Sequence, residues 1–75
     1  MSLDRGTVSW FDEQKGFGFI IPDIKRPGMK DIFVHKTNIQ TLDQQLEKGD
    51  RVEFEIGNGS KGPEAKNVRP LLEEA

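Results

Sequence analysis

Two short stretches, Lys15-Gly16-Phe17-Gly18-Phe19-Ile20 and Asp31-Ile32-Phe33-Val34-His35, constrain the fold of this chain more than any others. Read as strands, they alternate. Phe17 and Phe19 fall on one face of the first, and Phe33 and His35 on one face of the second. Gly18, Ile20, Ile32 and Val34 point the other way, into an interior. A half-buried strand ordinarily alternates apolar with polar, whereas these two carry apolar residues on both faces. The surplus of rings on the outer side points to a surface on which flat ligands can stack.

The rest of the chain limits what surrounds that surface. With 75 residues it makes one domain, residues 1–75, with a core from about 5 to 69 and residues 70–75 expected to fray. No apolar run approaches the ~20 residues of a membrane-spanning helix. Met1-Ser2-Leu3-Asp4-Arg5 lacks the basic flank and apolar segment of a secretory signal. The absence of cysteine removes disulfides and thiolate metal sites and favours a reducing cytoplasm.

The net charge of −2 argues at first against a nucleic-acid partner, but its distribution is polar. Between positions 15 and 36, five basic residues (Lys15, Lys25, Arg26, Lys30, Lys36) face two acidic ones. Between 37 and 57 five acidic residues face two basic ones. The basic part of the chain is the ring-bearing part.

Strands are expected at about 6–11 (Gly-Thr-Val-Ser-Trp-Phe), 17–21, 31–35, 51–56 and 63–69, divided by glycine, proline and acidic turn residues. Residues 12–16 read as a turn, 22–30 as an exposed loop, and 57–62 as a glycine-rich hairpin connection. In 36–50, Ile39, Leu42 and Leu46 recur at helical spacing and predict a short helical turn over one end of the barrel. Five antiparallel strands, with the longer connection between the third and fourth, match a small all-β barrel of the oligonucleotide-binding kind.

Several signals of chemistry weaken on inspection. Gly57 to Gly62 satisfies G-x-G-x-x-G, but no apolar helix follows and the chain is too short for a dinucleotide domain. His35 is the sole histidine, so a metal would have to rest on carboxylates alone, and no metal or other cofactor is expected. No serine or threonine has an evident base, so the chain reads as a binding protein and not an enzyme. The blander account of Trp10, Phe11, Phe17, Phe19 and Phe33 is that they build the core. Alternation opposes it, because Val8, Ile20, Ile32, Val34, Val52, Phe54, Ile56 and Val68 already supply an inward set. For Phe11 the core remains a competing place.

Together, Gly6-Thr-Val-Ser-Trp-Phe, Lys15-Gly-Phe-Gly-Phe-Ile, Asp31-Ile-Phe-Val-His and Gly62-Pro-Glu-Ala-Lys-Asn-Val resemble the bacterial cold-shock protein family, over about residues 6–68. The resemblance implies a five-stranded barrel that binds single-stranded RNA or DNA, prevents weak RNA structure as a chaperone, regulates transcription or translation, and is often cold-induced. It makes Trp10, Phe17, Phe19, Phe33 and His35 the stacking platform, with Phe11 at its margin. It also brings Asp12, Lys15, Lys36 and Lys61 to the ligand. Stacking serves any base, so an acidic protein can bind several nucleotides without a broad basic surface.

The sequence departs from the family pattern in several places. Lys36 stands where many members have an aromatic residue, Ser9 where a lysine is common, and 40–46 lacks the usual phenylalanine. The loop 22–30 is longer than usual and brings Lys25, Arg26 and Lys30 as candidate backbone contacts. These changes predict binding shifted from stacking toward charge. The alternative is a barrel that uses the ring patch to hold a protein partner. A monomer is the default, with strand exchange through loop 22–30 the route to a dimer.

Overall fold

A computed structural model describes residues 3–24, 31–42, 44–59 and 62–71. It contains five strands: β1 (Leu3–Asp12), β2 (Phe17–Pro22), β3 (Ile32–His35), β4 (Arg51–Gly59) and β5 (Gly62–Pro70), with a 3-10 turn at Lys36–Asn38 between β3 and β4. They close into a barrel in the order β1-β2-β3-β5-β4, with β4 returning to β1. Four of the five pairings are antiparallel, as expected. The fifth is not, since β3 runs parallel to β5, Phe33 opposite Glu64 and Val34 opposite Ala65. The barrel is therefore mixed. The 15-residue connection between β3 and β4 carries the chain across one barrel end, so that β5 comes back along β3 in the same direction.

The buried set is Val8, Ile20, Ile32, Val34, Ile39, Leu46, Val52, Phe54, Ala65 and Val68. Seven of the eight expected inward residues are among them. The eighth, Ile56, is partly buried and packs against the cluster together with Phe11. Phe54 is the largest fully buried side chain.

The helical spacing of Ile39, Leu42 and Leu46 is misleading. The 3-10 turn ends before Ile39, which bridges Val68, while Leu46 is buried and Leu42 is fully exposed. After the turn the backbone is irregular, so a period of 3.6 has no helix to act on.

Strand ends also extend past their expected limits. Gly57, Asn58 and Gly59 pair with Glu64, Pro63 and Gly62, so the glycine-rich stretch is strand before it is turn. Pro22 lies within β2 opposite Gly6. Pro70 pairs with Val52 and the Leu71 amide donates to the Arg51 carbonyl, which ties these two residues of the expected tail to the barrel.

Two β-bulges shape the sheet. In β1, Val8 pairs with Ile20 but Trp10 pairs with Phe19, leaving Ser9 as an extra residue. In β5 the register slips between Glu53 and Glu55 of β4, where Asn67 adopts φ 52° and supplies the extra residue. Asn67 is held there by Gln40, whose Nε2 donates to its Oδ1 at 3.0 Å.

A polar clamp joins three strands near the far end of β2. The Arg51 guanidinium donates to both carboxylate oxygens of Asp23 at 2.7 Å and to Thr7 Oγ1 at 3.0 Å. These hydrogen bonds hold the Asp23 carboxyl below its ordinary value of 3.8, against a smaller opposing effect of desolvation and with help from the charges of Arg51 and Arg5.

Candidate nucleic-acid interface

The bulge at Ser9 is what brings Trp10 to the outer face. Unbroken alternation would turn Trp10 to the same side as Val8, which is 1% exposed. One extra residue reverses the parity. Trp10 then stands beside Phe19 at 41% exposed, and Phe11 turns inward against the core.

β2 and β3 supply the remaining rings by simple alternation. Phe17 lies opposite His35 and Phe19 opposite Phe33, while Gly18, Ile20, Ile32 and Val34 between them are buried. Four rings close into a quadrilateral. Trp10 lies 5.4 Å from Phe19 and 5.9 Å from Phe17, and Phe33 lies 5.7 Å from Phe17 and 5.9 Å from Phe19. Their planes are inclined by 32–76°, so they meet tilted or edge to face rather than stacking on one another. That geometry holds the rings together while leaving ring faces available to a flat ligand.

The glycines permit this arrangement. A Cβ at Gly18 would fall 2.7 Å from Phe11 Cα, so only a bare backbone lets β2 approach β1 beside the bulge. Gly16 has φ +79° and ends the turn that Asp12 organises. Asp12 Oδ1 accepts from the amides of Gln14 at 2.9 Å and Lys15 at 3.1 Å, and the Asp12 carbonyl accepts from Gly16 N at 2.7 Å. Asp12 is thus an organiser of the turn that carries exposed Lys15 beside Phe17.

His35 extends the ring surface beyond Phe17. Its Nδ1 accepts from the Thr37 amide at 3.3 Å and lies 3.0 Å from Thr37 Oγ1, which fixes the ring at the start of the 3-10 turn. Lys36 follows, its amide donating to the Gly16 carbonyl at 2.8 Å. Its methylene stem crosses the bare Cα of Gly16, where a Cβ would meet Lys36 Cδ at 3.1 Å.

The expected residues therefore gather unequally. Trp10, Phe17, Phe19 and Phe33 form one contiguous cluster, His35 and Lys36 border it at Phe17, and Asp12 and Lys15 stand on the adjoining turn. Phe11 faces the core side. Lys25, Arg26, Lys30 and Lys61 lie outside the described residues.

One further residue at the rim had no sequence signal. Glu64 is opposite Phe33 across the parallel β3–β5 pair, and Asn38 Nδ2 donates to its Oε2 at 3.0 Å. It sets a carboxylate acceptor beside the ring cluster. Only the parallel closure brings it there, and neither stretch announces that closure by itself. Among the described residues, no group of three or more His, Cys, Asp or Glu could hold a metal ion, and no helix is long and apolar enough to cross a membrane.

Comparison with known proteins adds an independent finding. The family described as the 'Cold-shock' DNA-binding domain matches residues 4–71. The chain is 56% identical to the cold shock-like protein CspE of Escherichia coli (strain K12) over 72 residues, 95% of this chain and 100% of that protein. It is 51% identical over 70 residues to a protein of Mycobacterium tuberculosis named "Probable cold shock protein A", covering 92% of this chain and 100% of that one. Among solved structures, "drosophila Unr CSD456" superposes with a TM-score of 0.76 over 95% of this chain at 22% identity, and the chain spans 27% of that longer one.

Proposed function

This chain belongs to the cold-shock domain family, and on that premise we propose that it binds single-stranded RNA or DNA by stacking unpaired bases on Trp10, Phe17, Phe19, Phe33 and His35. It acts without catalysis as an RNA chaperone of the cytoplasm, trapping segments as they unpair, and through that trapping as a cold-shock-type regulator of transcription or translation. The observation that carries this reading is the quadrilateral of four rings outside a core that is complete without them. Each base laid on such a ring contributes about 1–3 kcal/mol whatever its identity, which suits a protein that must hold many sequences. Selectivity for single strands follows from access, since a paired and stacked base does not offer its face.

The surrounding polar groups supply the second part of the interaction. Lys15 and Lys36 meet phosphates or base edges on the Phe17 side, and Lys61, at a basic loop position of the family, adds a further contact to the ligand. Lys25, Arg26 and Lys30 follow the backbone of a longer strand. Asp12 accepts from a base, Phe11 serves the margin of the platform, and the protein works as a monomer.

Trp10, the sole tryptophan, reports directly. Titration with a short oligothymidine is expected to quench its fluorescence strongly, whereas a duplex of the same sequence leaves it unchanged. No change with either ligand, in protein shown by circular dichroism to be folded, would overturn the stacking reading and turn attention to a protein partner on the same rings.

A further inference from the structure

The outer face of β2 does not end with its two phenylalanines. Ile20 and Pro22 are buried, and Ile21 between them is 37% exposed, on the same side as Phe17 and Phe19. It is one of few large apolar side chains that the described surface exposes to this degree, and it continues the row of rings along the strand.

Resting on the stacking reading above, we propose that Ile21 forms a further nucleotide subsite, an aliphatic extension of the ring platform that takes the base following those held by Phe19 and Trp10. The first argument is continuity. Phe19 lies between Trp10 of β1 and Phe33 of β3, and Ile21 is the next outward residue of β2. Two residues of a strand advance about 7 Å. That is roughly twice the stacked rise of about 3.4 Å per nucleotide, a distance an extended single strand covers in one step.

The second argument is clearance. Opposite Ile21 stands Thr7, and between Thr7 and Trp10 lies Ser9, the extra residue of the bulge. Both side chains end within a few atoms, so no long side chain on β1 crosses the path from Trp10 to Ile21.

The third is charge, which selects the base and not the phosphate as the contacting group. The cation nearest Thr7 is Arg51, whose guanidinium is tied to both oxygens of Asp23. On the other side Asp31, one residue beyond the Ile20–Ile32 pair, is exposed. Arg5, two residues before Thr7 on β1, is also exposed and its charge acts on Asp23, so Asp23 and Asp31 offset the cations here and a backbone phosphate gains little, whereas an apolar face gains from covering Ile21.

The test compares wild type with Ile21→Thr, which keeps a β-branched side chain in the strand, and Ile21→Phe, which enlarges the subsite. Each is titrated with oligothymidines lengthened one nucleotide at a time from about four to about ten, the lower part of the span such a fold occupies. For the shortest oligomers all three should bind alike. Beyond the length that fills the rings, Ile21→Thr should bind about fivefold more weakly than wild type, the scale of leaving a few tens of Å² of apolar surface uncovered. Ile21→Phe should bind more tightly than wild type, and neither difference should change with salt. Three variants indistinguishable at every length, while wild type still binds, would overturn the subsite and leave the ring platform standing. Equal weakening at every length, or a difference that vanishes in salt, would overturn it as well. Failure of wild type to bind any oligomer would overturn the platform itself.

Discussion

Two phenylalanines of the same size answer to different physics. Phe54 is wholly enclosed, whereas Phe33 lies on the outer face in contact with Phe17 and Phe19. Phe54→Ala is expected to cost about 3–5 kcal/mol of stability, the usual range for emptying a core aromatic site, and to lower the thermal midpoint sharply. Phe33→Ala should leave the melting curve near that of wild type and cost about 1–3 kcal/mol in oligothymidine binding. If Phe33→Ala fails to fold, the rings belong to the core and the platform reading is wrong. This division was legible in the sequence because strand alternation forces it: Ile32 and Val34 take the inside, so Phe33 and His35 cannot. Phe11 was legible only as an alternative between core and surface. A bulge two residues before it decides its side, and no residue type in Val8-Ser9-Trp10 signals an inserted residue.

Whole elements show where reading from sequence falters. Strands β2 and β3 follow from their own residues, but the parallel pairing of β3 with β5 depends on how a long irregular connection turns, and local pattern does not encode that. Leu42 is the clearest case. Its spacing from Ile39 and Leu46 imitates a helix face, yet it lies in solvent while its two companions fill the barrel end from separate irregular segments. The clamp among β1, β2 and β4 is likewise tertiary, since Asp23 and Arg51 are 28 residues apart. It carries a pH signature. The folded state holds the Asp23 carboxyl below 3.8, so its contribution is complete above that value and is lost as pH falls through the lowered one. Asp23→Asn should therefore be less stable than wild type at neutral pH, and the gap should close on acidification from about pH 5 to about pH 2. Melting curves across that interval give the answer, and a gap independent of pH would show that the pair contributes nothing to acid sensitivity.

At the scale of the molecule, the protein has a net charge of −2 and nevertheless carries a surface suited to a polyanion. Stacking removes the contradiction, and it predicts a particular salt response. With two or three phosphate contacts, at about 0.7 per phosphate for a single strand, log K should fall against log salt with a slope of only about −1 to −2. If one or two of those contacts fall to Lys25, Arg26 and Lys30, replacing the three together by glutamine should flatten that slope by about one unit. An unchanged slope would assign the charge term to Lys15 and Lys36 instead.

The closure of β3 onto β5 has a consequence of a different kind. Among the described strands every one has a neighbour on both sides, so the sheet offers a second molecule only short unpaired stretches, such as those flanking the two-residue pairing of β3 with β5. Exposed phenylalanines beside a free strand would invite growth into fibrils. In a closed barrel they stay open to bases yet give a second copy little backbone to extend, which disfavours strand-by-strand polymerisation.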